Sequence, residues 1–216
     1  MSRFVQLHTL TVYPLSNPNR DDTGRPKSSM YGDAPRLRLS SQALKRAVRT
    51  SDRFRARLEG KLGDRTQRIG EVVIEALKAR DVGEKERIDI ATKITDVFGK
   101  LDAEASKKNP NHVRTRQLAF ISPEEKAAAI GWAQRAARGE KLPDTKELKT
   151  EILRTADGAA DVAMFGRMLA DDAGFNREAA VQVSHAMTTH RALVEDDYYT
   201  AVDDLKKSEE DAGAGF

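Results

Sequence analysis

The stretch from Arg36 to Arg49, reading Arg-Leu-Arg-Leu-Ser-Ser-Gln-Ala-Leu-Lys-Arg-Ala-Val-Arg, runs a basic strand end straight into a serine-capped helix. Ser40 or Ser41 can cap the helix, and the unbonded backbone N–H groups of its first turn carry partial positive charge that attracts anions. Gln42, Lys45 and Arg49 follow at i, i+3 and i+7 and share one helical face, whereas Leu44, Ala47 and Val48 fall on another face suited to packing onto a core. The arrangement fits a phosphate. A serine followed by a basic amphipathic helix also occurs on ordinary soluble proteins, where the cations simply face water, and the local pattern alone does not separate the two.

Charge is spread unevenly along the chain. Residues 1–58 hold 12 Lys or Arg against 4 Asp or Glu, residues 59–190 hold 22 of each, and residues 191–216 hold 3 basic against 8 acidic. Basic and acidic ends in one chain point to a polyanion site plus a segment that repels that site or docks on a basic surface; head-to-tail self-association satisfies both. With 216 residues, 39% of them hydrophobic, the chain can form one sizeable domain or two small ones without disulfides. Zero cysteines exclude disulfides, thiolate nucleophiles and Cys-ligated zinc. No apolar run reaches about 18 residues and no secretory apolar stretch opens the chain, so a soluble, cytoplasmic protein with no membrane partner is expected.

Residues 3–13 are rich in β-branched and aromatic residues and read as a strand with Val5, Leu7, Thr9 and Thr11 on one face. Pro14 to Gly32, with three prolines and two glycines, is too long for an ordinary connection and reads as a functional loop. From about Asp64 the texture is helical. Ile69, Val72, Val73, Ala76 and Leu77 make one stripe and Ile90, Ala91, Ile94, Val97, Phe98 and Leu101 a second. Ser122-Pro123-Glu124-Glu125 opens a helix that runs through Trp132, and Asp144 to Ala156 supplies a fourth. Strand texture returns in Asp161–Met168 and in Ala180–Thr189, where Val181, Val183, His185, Met187 and Thr189 alternate with smaller or polar residues. The pattern is a helical insertion in a mixed α and β core.

His8, His112, His185 and His190 match no metal-ligand spacing, and His185 sits among alternating strand residues, so structural histidines are expected. Asp21 and Asp22 suit turn hydrogen bonds or pairing with Arg20, with a carboxylate-based metal site as the alternative. The chain has no Walker loop, dinucleotide fingerprint or Gly-x-Ser-x-Gly motif. Trp132 reads as packing, and Tyr198 and Tyr199 as loop anchors or base-stacking platforms.

Five segments together resemble one family: Asn19 to Asp22, Arg38 to Ala47, Phe165-Gly166-Arg167-Met168, Ser184 to His190 and Asp197 to Leu205. In that order they are similar to the CasC-type backbone subunit of the type I-E CRISPR Cascade complex; residues 61–156 carry little of the likeness. The resemblance implies an α+β fold, a modified RRM or ferredoxin-like palm with a large helical fingers insertion and a partial thumb loop. The implied boundaries are palm residues 1–60 and 157–192, fingers 61–156 and thumb 193–216. It also implies a non-catalytic, cofactor-free protein that binds CRISPR RNA along its backbone and stacks head to tail with other copies of itself. Such a filament kinks the spacer, presents it for pairing with target DNA and joins other Cascade subunits in antiviral defence; backbone contacts are what allow any spacer to be accepted.

By the same resemblance, Arg20, Lys27, Ser40, Gln42, Lys45 and Arg49 grip RNA phosphates, while Arg167 and Met168 lie against the RNA, with Met168 helping to separate bases at the kink. The chain corresponds to the N-terminal part of the family pattern. An incomplete palm would expose sheet edges and half a core, so help from another chain is expected for full folding. The alternatives are a metal-dependent nuclease or phosphoryl enzyme built on the Asp21 and Asp22 loop, and a shortened product unable to assemble.

Overall fold

The apolar stripe that starts at Ile69 becomes a helix whose buried side is Ile69, Val73, Ile74 and Leu77, with Glu71 in its first turn and Lys78 in its last. Both charges complement the helix dipole. The structure, a computed structural model, describes residues 3–80, 82–153, 158–169 and 172–194. These form two compact units, one of residues 44–183 and one of residues 1–43 with the chain from 184 onward. Among the described residues there are eight helices: α1 Ser41–Thr50, α2 Asp52–Arg57, α3 Ile69–Lys78, α4 Glu84–Thr95, α5 Ala103–Lys108, α6 Pro123–Ala136, α7 Thr145–Leu153 and α8 Ala160–Phe165. The strands are β1 Ser28–Tyr31, β2 Ala34–Leu39, β3 Asp64–Thr66, β4 Ala119–Ile121 and β5 Ala186–Met187.

In the unit of residues 44–183, α3, α4, α6 and α7 pack around Val73, Leu77, Ala91, Ile94, Ala129, Ala133 and Ile152. The short antiparallel pair β3–β4 closes one side, with Ile121 opposite Asp64. Helix α6 starts as expected from Ser122 and Pro123: the Ser122 hydroxyl accepts from the Glu125 N–H at 3.1 Å, and the Glu125 carboxylate accepts from the Ser122 N–H at 2.9 Å. This reciprocal cap satisfies two N–H groups that the helix leaves open. Gly70 lies where α3 approaches the strand-like segment at Val113; a Cβ there would sit 2.4 Å from the Val113 carbonyl oxygen.

The other unit is an antiparallel sheet in the order β1-β2-β5. Gly32 and Asp33, both at positive φ (60° and 55°), make the two-residue turn that joins β1 to β2. Two consecutive left-handed residues match the twist of the flanking strands, which is why glycine and aspartate occupy the turn. β2 is half-buried along its whole length. Arg36 braces the hairpin, its Nε donating to the Tyr31 carbonyl at 2.9 Å and its Nη1 to the Thr188 carbonyl at 2.9 Å.

Four expectations are corrected. Residues 3–13 form no strand: Phe4, Val5, Leu7, Leu10 and Val12 are each at least 84% exposed, because no neighbouring backbone among the described residues pairs with them. Asp161–Met168 is not a strand either; it is mostly α8, whose Val162 is fully buried. Of Ala180–Thr189 only Ala186 and Met187 pair, against Leu39 and Arg38, and His185 is exposed. Within Pro14–Gly32, expected to be loop throughout, β1 forms. The division of the units falls near residues 43 and 183, so residues 44–60 and 157–183 cluster with the helices. The thumb residues from Glu195, including Tyr198 and Tyr199, and the expected helix end at Ala156 lie outside the described residues.

Candidate nucleic-acid interface

The loop before β1 is a small hairpin tied to the start of α1. The Asp21 N–H donates to the Arg25 carbonyl (2.8 Å), the Lys27 N–H to the Asn19 carbonyl (2.8 Å) and the Arg38 N–H to the Lys27 carbonyl (2.8 Å). Asp21 Oδ1 accepts from the Thr23 N–H (2.9 Å), the Thr23 hydroxyl (2.7 Å) and the Arg25 N–H (3.0 Å), and Gly24 takes φ of 85° to close the turn. The Thr23 hydroxyl, followed by the Arg25 and Thr23 amides, holds the Asp21 carboxyl below its usual 3.8. Turn ordering, expected of Asp21, is what its carboxylate does.

Asn19 makes the connection between loop and helix: its Oδ1 accepts from the Ser40 N–H at 2.8 Å. Ser40 is the cap, its hydroxyl accepting from the Ala43 N–H at 3.3 Å, and it is the one buried residue among the described residues of this unit. Arg20 and Lys27 lie on the two strands of the small hairpin, Arg20 bridged to Pro26 and Lys27 next in line. Neither has a carboxylate partner among the described residues. Gln42 is exposed on the first turn of α1. The contribution of Asn19 was missed from residue types alone, because its partner amide lies 21 positions away.

Farther along α1, Lys45 is half-buried and unpaired among the described residues, but Arg49 is committed inward. Its Nε donates to Asp161 Oδ2 at 3.0 Å, its Nη2 lies 3.4 Å from the Gly63 carbonyl, and its guanidinium stacks 4.3 Å from the Phe120 ring centre. Asp161 is itself buried and also accepts from the Gly63 N–H at 2.8 Å. Arg49, expected to contact phosphate, therefore serves as a tertiary clamp in this structure. The expected packing face of α1 also differs: Ala47 and Val48 are exposed and no residue of the helix is buried.

Arg167, also expected to lie against RNA, is held inward more completely. Its side chain is 0% exposed. Nη1 donates to both Glu125 carboxylate oxygens at 2.7 Å and to the Phe120 carbonyl at 3.2 Å, and Nη2 to the Phe175 carbonyl at 3.0 Å. Burial pushes the Glu125 carboxyl above its usual 4.5, while Arg167 and the Ser122 amide pull it back. The guanidinium is thus fully enclosed. Met168, the next residue, points out and is 76% exposed.

Among the described residues, no group of three or more His, Asp or Glu side chains is placed to hold a metal ion, and no helix is long and apolar enough to cross a membrane.

Comparison with solved structures supplies the class. A chain of a CRISPR RNA-guided surveillance complex in a pre-nicking state superimposes with a TM-score of 0.73 at 30% identity, covering 93% of this chain and 56% of that one. A chain of a second CRISPR RNA-guided surveillance complex gives a TM-score of 0.67 at 29% identity, covering 83% of this chain and again 56% of the other. This chain thus resembles subunits of such complexes and spans little more than half of their length. The family model described as CT1975-like protein (Cas_CT1975) matches residues 5–216, and the chain belongs to that family. No protein with a curated description matches it significantly.

Proposed function

We propose that this chain is a crRNA-binding backbone subunit of a type I-E CRISPR surveillance complex, acting in antiviral defence without catalysis of its own. In this reading the sheet of β1, β2 and β5 belongs to an RRM-like palm and the helices of residues 44–183 to the fingers. Copies stack head to tail on CRISPR RNA beside other Cascade subunits and present the spacer to target DNA. The observation that supports it best is the hairpin of residues 19–27, tied by Asn19 to the capped start of α1. It holds Arg20 and Lys27, neither with a carboxylate partner among the described residues, beside open helix N–H groups, a combination that takes phosphate irrespective of base sequence.

Arg20, Lys27 and Lys45 are the phosphate contacts in this reading, with Gln42 and the α1 amides as neutral donors. Three cationic contacts give a log–log salt slope of about −2, taking ~0.7 per contact on a single strand. Including Arg49 and Arg167 would steepen it to about −3.5, so the slope separates the smaller contact set from the larger. The test is light scattering and RNA affinity of the purified chain, with CRISPR RNA of two unrelated spacers, across about 50–200 mM salt. Equal affinity for both spacers and RNA-dependent growth of the particle are expected; a flat salt response overturns the reading. Labelled RNA incubated with Mg²⁺ or Mn²⁺ should stay intact, and cleavage would favour a phosphoryl enzyme instead.

A further inference from the structure

The unit of residues 44–183 contains a groove of about 610 Å³ between α4, the end of α6 and the start of α7. It lies wholly within residues 82–153, all of them described. The floor is apolar: Ile90 and Leu148 are 6% and 2% exposed, and Leu142 and Pro143 are half-buried. The walls are charged. Glu86, Asp89 and Lys93 come from α4, and Glu140, Lys141 and Asp144 from the α6–α7 connection, so four carboxylates stand against two ammonium groups. Among the described residues, Glu86 and Asp89 make no ion pair and their carboxylates accept no hydrogen bond.

The groove follows from how α6 ends. The Gly139 N–H donates to the Ala136 carbonyl at 2.9 Å and the Glu140 N–H to the Arg135 carbonyl at 3.2 Å, with Gly139 at a φ of 88°. A left-handed glycine with this pair of bonds closes a helix abruptly, and the chain leaves the helix axis there. Asp144 then starts α7: its Oδ1 accepts from the Glu147 N–H at 2.8 Å and its carbonyl from the Leu148 N–H at 2.9 Å. Residues 140–144 are thereby pinned at both ends. The α4 wall is equally fixed, because Ala91 and Ile94, both 0% exposed, hold that helix in the core. Glu86, Asp89, Ile90 and Lys93, at i, i+3, i+4 and i+7, share one of its faces.

We infer that this groove docks a basic segment of a partner protein. An apolar side chain of leucine or methionine size lies on Ile90, Leu142 and Leu148, while flanking Lys or Arg side chains meet Glu86 and Asp89. Charge complementarity selects the partner, since an excess of carboxylate draws a cation and repels the phosphates of a nucleic acid. The apolar floor selects a side-chain anchor over a bare cation, because covering Leu142 and Pro143 removes apolar surface from water. Asp144 is engaged in the α7 cap and Glu140 lies 3.3 Å from Arg138 Nη2, so Glu86 and Asp89 do most of the recognition. The inference stands apart from the RNA-binding reading and concerns a different surface, one of acidic character.

The test pans a phage-displayed library of random short peptides against the full chain, with Glu86→Lys/Asp89→Lys for counter-selection. Enriched sequences should set Lys or Arg beside Leu or Met, and a fluorescein-labelled synthetic copy should bind the parent. Glu86→Gln with Asp89→Asn should weaken that binding about threefold to thirtyfold at low salt. Leu142→Ala should weaken it about threefold to tenfold with the salt dependence unchanged, since it removes no charge. Circular dichroism melts verify that these substitutions leave folding intact, and NMR of the parent should place the peptide-induced shifts at the amides of residues 86–93 and 140–148. If the library yields no basic, apolar sequence, or the peptide binds Glu86→Gln/Asp89→Asn as tightly as the parent, the proposal falls. If spermidine binds the same amides as tightly as the peptide, the site takes a polyamine and the protein assignment is overturned. Single-stranded RNA shifting those amides would overturn it as well, whereas a parent chain that binds no RNA leaves this proposal standing and removes only the RNA-binding reading.

Discussion

Every fully buried apolar side chain among the described residues lies between Ile69 and Leu169, inside the unit of residues 44–183. Among the described residues of the unit formed by residues 1–43 and 184 onward, burial reaches only Ser40, and a run of large apolar side chains from Phe4 to Leu15 stands in water. The first unit is held by close packing, the second by turn chemistry and hairpin hydrogen bonds. The difference teaches where each kind of charge ends up. Arginines near the packed unit's interior are drawn into ion pairs, as Arg49 and Arg167 are, because a dense interior offers fixed carboxylates and carbonyls. Cations in the open unit, such as Arg20 and Lys27, have no carboxylate partner among the described residues.

The most severe test of this contrast is the buried pair. Arg167→Ala should cost about 3–5 kcal/mol in urea unfolding, since it strands the Glu125 carboxylate in the interior. The double change Arg167→Leu with Glu125→Leu should recover much of that loss, and an unchanged midpoint for Arg167→Ala would mean the pair does not bear on folding. Leu77→Ala, in the same unit, should cost about 2–5 kcal/mol by leaving a cavity. Against it, Val12→Ser in the open unit should stay within about 0.5 kcal/mol, because that side chain is already 94% exposed. A loss comparable to Leu77→Ala would show that residues 3–13 are covered in solution.

Replacing Lys45 with Ala should leave the melting temperature unchanged and flatten the RNA salt slope by ~0.7. The same slope with and without Lys45 would remove it from the contact set. The smallest effect concerns Asp21. Its folded carboxyl titrates below its usual 3.8, so the order it lends the hairpin is fully present above 3.8 and is lost as pH falls through the depressed value. NMR titration of the Thr23 and Arg25 amides should report that low midpoint, and a midpoint at or above 3.8 would contradict the turn bonds.

Local signals carried well from sequence to structure. Ser122-Pro123-x-Glu125 is a start signal complete within four residues, and α6 begins there; the stripe Ile69, Val73, Leu77 made α3 because its period needs no distant partner. The turn at Gly32-Asp33 was equally local and went unread inside a proline-rich loop. Segments whose pattern is ambiguous went wrong. Ala160–Phe165 is too short for its apolar residues to distinguish period 2 from period 3.6, and burial of Val162 and Asp161 settled it as helix. Residues 3–13 alternate as a strand should, yet alternation specifies a face and not a partner.

The candidate site divides along the same line. The sequence by itself determined the capped, cationic start of α1 and the turn-forming aspartate of the 19–27 loop, since caps and turns are made by residues a few positions apart. Tertiary structure alone decided that Arg49 and Arg167 are held in ion pairs. Asp161 lies 112 positions from Arg49 and Glu125 lies 42 from Arg167, and a charge carries no mark of its partner until folding brings the two within hydrogen-bonding distance and excludes the water that would otherwise screen them.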